Sequence, residues 1–211
     1  MIDSDSQVND LIKQVEQGHP HALGELLQRY RGRLLRIVDF RMDSRLRSRL
    51  DATDVIQETF IEVTIRFEEY LTQPEMPFFL WLRFIALQKL LQLRRHHIGV
   101  QSRNAEREVP LFLGAYPQAT SAVLAAHLLG KQTTPSEAAI RAESRVRLEQ
   151  ALNSMDNIDR EVLALRHFER MTNKEVSTLL DLTETAASNR YMRALKRLRR
   201  VMESSQSVTE D

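Results

Sequence analysis

The chain has 211 residues, 42% of them hydrophobic, and 30 Lys and Arg against 29 Asp and Glu give a net charge of +1. That length suits one or two globular domains. The absence of cysteine excludes disulfides, thiol catalysis and cysteine-ligated zinc, and is compatible with a reducing cytoplasm, the expected location. The N-terminus, MIDSDSQVND, is acidic and polar, unlike a signal peptide, and no apolar run approaches membrane-spanning length. Gly and Pro are scarce, at six each, and most segments carry helical periodicity, so the expected fold class is all-α.

A first helix is expected over residues 8–18, ended by Gly18 and restarted near Pro20. A second, over 21–42, has Leu23, Leu26, Leu27, Tyr30, Leu34, Ile37 and Val38 as its apolar face. Asp51-Ala-Thr-Asp54 is a plausible N-terminal cap for a third helix over 53–70. Its apolar stripe is Ile56, Phe60, Val63 and Phe67, and its acidic stripe is Asp54, Glu58 and Glu62. Two prolines make 71–77 a loop. A fourth helix, 78–97, carries Trp81, placed in the core by its neighbours Phe78, Leu82 and Ile85. Residues 99–135 mix Gly, Pro, Gln, Ser and Thr and read as a linker with one short helix at 121–129. Further helices follow over 135–155 and 158–168, the latter with Val162, Leu163, Leu165 and Phe168 as its apolar residues.

The segment MTNKEVSTLLDLTETAASNRYMRALKRLRRVM, 171–202, is the most informative. Thr172 and Glu175 have capping-box spacing, so a helix should start at Asn173 and bury Val176, Leu179 and Leu180. Asp181-Leu182-Thr183 should break it, with Thr183 capping a second helix from Glu184. There Ala187, Tyr191, Ala194, Leu198 and Val201 form one buried stripe. The opposite face carries Thr185, Ser188, Asn189, Met192, Arg193, Lys196, Arg197 and Arg200. Residues 184–202 hold six Arg and Lys and one acid. A helix-turn-helix that shows amide, hydroxyl and guanidinium groups on one face suits a DNA major groove. The polar tail, 204–211, is expected to be disordered.

Charge is segregated. Residues 29–50 hold eight Arg and two Asp, 54–75 six acids and one Arg, and 83–107 six Arg and Lys with one Glu. Such alternation suggests separate surfaces for separate partners, the basic ones suited to phosphate.

These residues resemble the extracytoplasmic-function group of bacterial RNA polymerase sigma factors, of the sigma-70 family, over nearly the whole chain. DATDVIQETFIEV (51–63) resembles the segment that grips the polymerase clamp helices. FFLWLRFIALQKLLQLRRHH (78–97) resembles the helix that recognises and melts the −10 element, and MDNIDREVLALRHFERMTNKEV with TETAASNRYMRALKRL the −35-reading helix-turn-helix. The linker phrase TSAVLAAHLLGKQTTPSEAAIRAE is similar to sigma factors of planctomycete type. The resemblance implies two small helical domains joined by a flexible linker: a region 2-like domain over 1–100, a linker over 101–137, a region 4-like domain over 138–205 and a tail over 206–211. It implies polymerase binding by Asp54, Gln57, Glu58 and Ile61, and −10 contacts by Gln88, Lys89, Gln92 and Arg95. It implies −35 contacts by Thr185, Ser188, Asn189, Met192, Arg193, Lys196 and Arg197. The loop 72–77 would border a pocket for a flipped base, whose extrusion costs a few kcal/mol. The implied partners are the polymerase core, through the largest subunit's clamp helices and the second-largest subunit, promoter DNA and an anti-sigma factor, with no membrane, no cofactor, no metal and no enzymatic activity. The chain has Leu87-Gln88 where the family often shows Arg-Asn, and Ser188-Asn189 where it often shows Lys-Ser. The turn also lacks the Gly often found near Thr185. The preferred promoter sequence is therefore expected to differ.

Two other readings are open. A dimeric helix-turn-helix regulator would need a dimer interface or ligand pocket in the first hundred residues, and leaves the acidic helix, Pro loop and basic helix unexplained. An enzyme would draw on His19, His21, His96, His97, His127 and His167, but His19-x-His21 and His96-His97 lack a nearby carboxylate in metal-site spacing, and no phosphate loop or nucleophile elbow is present.

Overall fold

The computed structural model describes residues 2–42, 44–72, 74, 76–98, 120–129 and 137–206, and every regular element among them is helical. Most of the expected linker, and the end of the tail from residue 207, lie outside the described residues. The chain divides into two compact units, Met1–Tyr116 and Pro117–Asp211.

In unit 1, α1 (Ile2–Glu16) starts earlier than the apolar periodicity suggested, because residues 2–7 contain no helix breaker. Gly18 ends it at φ 82°, a left-handed conformation in which His19 N–H reaches the Gln14 carbonyl at 3.0 Å. Pro20 then sits at the start of α2 (Pro20–Arg41), where a missing N–H costs nothing. Leu26, Leu27, Leu34, Ile37 and Val38 are buried as expected, while Leu23 and Tyr30 are half-buried.

The short α3 (Ser44–Arg47) was not legible as a helix: a single turn has no periodicity to read, and only the burial of Leu46 marks it. The third long helix, α4 (Ala52–Thr72), buries Ile56, Val63 and Phe67, with Phe60 half-buried. Next comes α5 (Phe78–Ile98), whose first ten residues, 78–87, are buried on every side. Trp81 is 7% exposed and belongs to an aromatic cluster with Tyr70 (4.7 Å between centroids), Phe78 (5.9 Å) and Phe67 (6.3 Å). Tyr30 joins through Phe79 at 5.4 Å, and the Arg33 guanidinium lies 3.5 Å from that ring's centroid. This cluster fixes α5 against α2 and α4 and leaves only the second half of α5 to solvent.

In unit 2, α6 (Ser121–Leu129) falls inside the expected linker, yet it packs on α7 (Glu137–Asn153) with Leu124 and Ala125 fully buried. Ser121 Oγ, 2.7 Å from Asn153 Oδ1, adds a polar tie. The next helix, α8 (Asn157–Leu163), does not run on as an α-helix to Phe168; Ala164–Phe168 forms a π turn. Arg170 closes it at φ 54°, with Met171 N–H on the Leu165 carbonyl at 2.9 Å. A single-residue widening of this kind leaves no trace in apolar spacing.

Candidate nucleic-acid interface

The helix-turn-helix of unit 2 is assembled by local chemistry. Thr172 Oγ1 accepts from Glu175 N–H at 3.1 Å, and Glu175 Oε2 accepts from Thr172 N–H at 2.7 Å, so the capping box closes α9 (Asn173–Leu180) at its start. Asp181 ends it at φ 51°, ψ 50°, the left-handed position that a glycine usually takes and a short polar side chain tolerates. That is how the turn forms without glycine. Thr183 Oγ1 caps α10 (Glu184–Gln206) by accepting from Ala186 N–H at 3.1 Å, and Asn173 Nδ2 donates to the Glu184 carbonyl at 2.7 Å, locking the two helices together. Helix α10 carries on through residues 204–206, expected in the tail, since nothing there breaks a helix.

Ala187, Ala194 and Leu198 of α10 are buried, with Tyr191 half-buried and 5.4 Å from the Arg166 guanidinium. Thr185, Ser188, Asn189, Met192, Arg193, Lys196 and Arg197 are all exposed. Two of these cations have intramolecular partners. Arg197 Nη2 donates to Ser154 Oγ at 2.7 Å, and Arg193 Nη2 lies 3.6 Å from Asp159 Oδ1. Arg190, which the sequence pattern did not single out, is the anchor: its Nη1 is 2.7 Å from Asp159 Oδ1, with the side chains 24% and 16% exposed. A half-buried pair of this kind sets how α10 seats on α8.

In unit 1, Gln57 and Glu58 of α4 are exposed, and Ile61 is 57% exposed. Asp54 is different. It is half-buried, and its Oδ2 accepts from Asp51 N–H at 2.9 Å while Asp51 Oδ1 accepts from Asp54 N–H at 3.0 Å. Asp54 is thus the far half of a carboxylate capping box. Ile65, one turn beyond Ile61, is 72% exposed.

On α5, Gln88, Gln92 and Arg95 recur at steps of four and three and are exposed. Lys89 stands apart, with its side chain 13% exposed and its Nζ 3.1 Å from Glu62 Oε2 of α4. In the preceding loop, Gln73 and Glu75 lie outside the described residues, while Met76 is buried and its carbonyl accepts from Tyr70 Oη at 3.2 Å. Burial, then the nearby Tyr30, pushes the Tyr70 phenol up to about 12. Among the described residues no group of three or more His, Asp or Glu could hold a metal, and no helix is long and apolar enough to cross a membrane.

Residues 145–198, which include the whole π turn and α9 and most of α10, match the family described as Sigma-70, region 4. Over nearly its full length the chain is similar to RNA polymerase sigma factor NccH of Alcaligenes xylosoxydans xylosoxydans, at 27% identity over 93% of this chain and 95% of NccH. Along nearly its whole length the chain thus resembles RNA polymerase sigma factors, with a sigma-70 region 4 segment in unit 2. It is also similar to RNA polymerase sigma factor CnrH of Cupriavidus metallidurans, at 25% identity over 92% of this chain and 93% of CnrH. The solved structure of CnrH in complex with the cytosolic domain of CnrY shares the fold, at a TM-score of 0.51 and 22% identity over 94% of this chain and 98% of that one. The exposed residues of α10 from Thr185 to Arg197 lie within the matched region 4 segment.

Proposed function

We propose that the chain directs transcription initiation by binding RNA polymerase core and recognising and opening promoter DNA. In this reading residues 1–100 act as the region 2-like unit and 138–205 as the region 4-like unit. Gln57, Glu58 and Ile61 of α4 dock on the largest subunit's clamp helices, with Asp54 holding the start of that helix. Gln88, Gln92 and Arg95 meet the −10 element. On α10, Thr185, Ser188, Asn189, Met192 and Arg193 face the base edges of the −35 element, and Lys196 and Arg197 reach phosphates. The observation that carries the reading is the face of α10: a cation-rich polar stripe, opposite a buried one, inside the segment that matches region 4.

The chemistry is binding and positioning, with no catalytic group of the chain's own. Asn189 has the donor and acceptor needed to pair with adenine, and a guanidinium such as that of Arg193 suits guanine or phosphate. A second contact to the second-largest subunit, a cytoplasmic location and control by an anti-sigma partner complete the proposal. The last has support in CnrH, which was solved bound to part of CnrY. The decisive experiment is transcription in vitro from a genomic promoter library with the chain added to purified core. Start sites sharing two upstream elements are expected. A chain that neither binds core nor yields any start site refutes the proposal.

A further inference from the structure

Two polar bridges join α4 to α5. Lys89 pairs with Glu62, and one turn along α4 Arg66 Nη1 donates to Gln88 Oε1 at 3.3 Å. A guanidinium has donors and no acceptor, so the amide atom it meets must be the oxygen. That fixes which way the Gln88 amide faces. Arg66 is itself restrained: its Nε is 3.2 Å from Glu69 Oε2, and its side chain is 28% exposed. With Oε1 turned to α4, the two N–H donors of Nε2 are the end left for a base. Pairing of a glutamine with adenine needs the amide oxygen to accept from N6 while the nitrogen donates to N7. Donors alone match the N7 and O6 acceptors of guanine.

We infer that Arg66 is a positioning residue for base choice: by holding the Gln88 amide oxygen it presents Gln88 as a donor and shifts preference at that base from adenine toward guanine. The inference rests on the reading of Gln88 as a base contact. Arg66 sits on the helix proposed to dock on polymerase, so the same side chain joins the docking element to the reading element.

The test is transcription from a library randomised across the −10 element, using the full chain with polymerase core. The variants are Gln88→Ala, Arg66→Met, Arg66→Lys and the double Arg66→Met with Gln88→Ala. Methionine keeps an apolar stem and removes the donor. Arg66→Met is expected to raise adenine relative to guanine at one position by about five- to tenfold, the lower end of what a good base contact is worth. Arg66→Lys, which keeps a donor, should restore the parental preference, and the double variant should match Gln88→Ala. Glu69→Ala, at a side chain 70% exposed, loosens Arg66 without disturbing its packed stem and should move the same position in the same direction even if Arg66→Met does not fold. If Gln88→Ala alters no position, the base contact itself is wrong and the inference falls with it. If Gln88→Ala relaxes a position that neither Arg66→Met nor Glu69→Ala moves, the inference is overturned and the contact stands. A uniform loss across all promoters with an unchanged base profile also overturns it, since that is the signature of a purely structural bridge.

Discussion

Charge reversal on α4 separates docking from folding, provided the right carboxylate is chosen. Asp54 and Glu58 look alike in the sequence, but Asp54 accepts from Asp51 N–H at 2.9 Å, whereas Glu58 is exposed. Glu58→Arg combined with Ile61→Asp leaves the cap alone. Complete burial of an isoleucine is worth about 1.5–3 kcal/mol, and Ile61 has 57% of its surface left to bury, so its docking contribution is about 1–1.5 kcal/mol. Loss of one favourable charge contact and its reversal adds about 1–1.5 kcal/mol. The sum, about 2–3 kcal/mol, is a loss of affinity for core of about 30- to 150-fold. Both side chains are at the surface, so the thermal midpoint of the free protein should hardly change. Asp54→Ala should do the reverse, costing about 1 kcal/mol of stability through the lost cap and leaving the docking face in place. Core affinity by fluorescence anisotropy and unfolding by circular dichroism read the two effects separately. An affinity for core within twofold of the parent in the folded double variant refutes the assignment of α4 as the docking helix.

Asn189→Ala and Lys196→Ala are expected to differ in kind: the first loses discrimination among −35 sequences by about 1–3 kcal/mol, and the second loses affinity uniformly with a shallower salt slope. Binding-site selection with the full chain bound to core reads both, and identical specificity profiles for the two variants and the parent would make α10 a purely electrostatic anchor. Thr172→Ala opens the capping box and should cost about 1 kcal/mol of stability in unit 2, measured by urea unfolding; a change under a few tenths would show that the turn holds without it. Tyr70, with its phenol raised to about 12 from an ordinary 10.0, favours the folded state below pH 10, and that contribution is lost as pH rises from 10 toward 12. An ultraviolet titration should show a tyrosine step near pH 12, and Tyr70→Phe should remove that late step. If the step that Tyr70→Phe removes lies near pH 10 instead, Tyr70 is not shielded by the aromatic cluster.

Local rules made much of this molecule legible from sequence. The capping box at Thr172, the break at 181–183 and the stripe of Ala187, Ala194 and Leu198 are all set by residues within a turn or two of each other, and the structure has them as read. Features without periodicity were not legible: the single turn of α3, the π turn at Ala164–Phe168 and the packing of α6 on α7. Periodicity tells which face of a helix is exposed, but not what stands across from it. Lys89 shows the difference. The resemblance makes it a −10 contact, and the structure pairs it with Glu62, 27 residues earlier, at 3.1 Å. Arg190 and Asp159, 31 residues apart, and Arg66 and Gln88, 22 apart, are hidden for the same reason. In each case a side chain on one helix restrains a side chain on the helix proposed to read DNA. The list of exposed residues on α5 and α10 is therefore a sequence property. The orientation in which those residues are offered to a base is a tertiary one, set by α4 in one unit and α8 in the other. On the proposed reading, a substitution on α4 or α8 that touches no base is expected to change which base is preferred, whereas one on the buried stripe of α10 is expected to change affinity for every site at once.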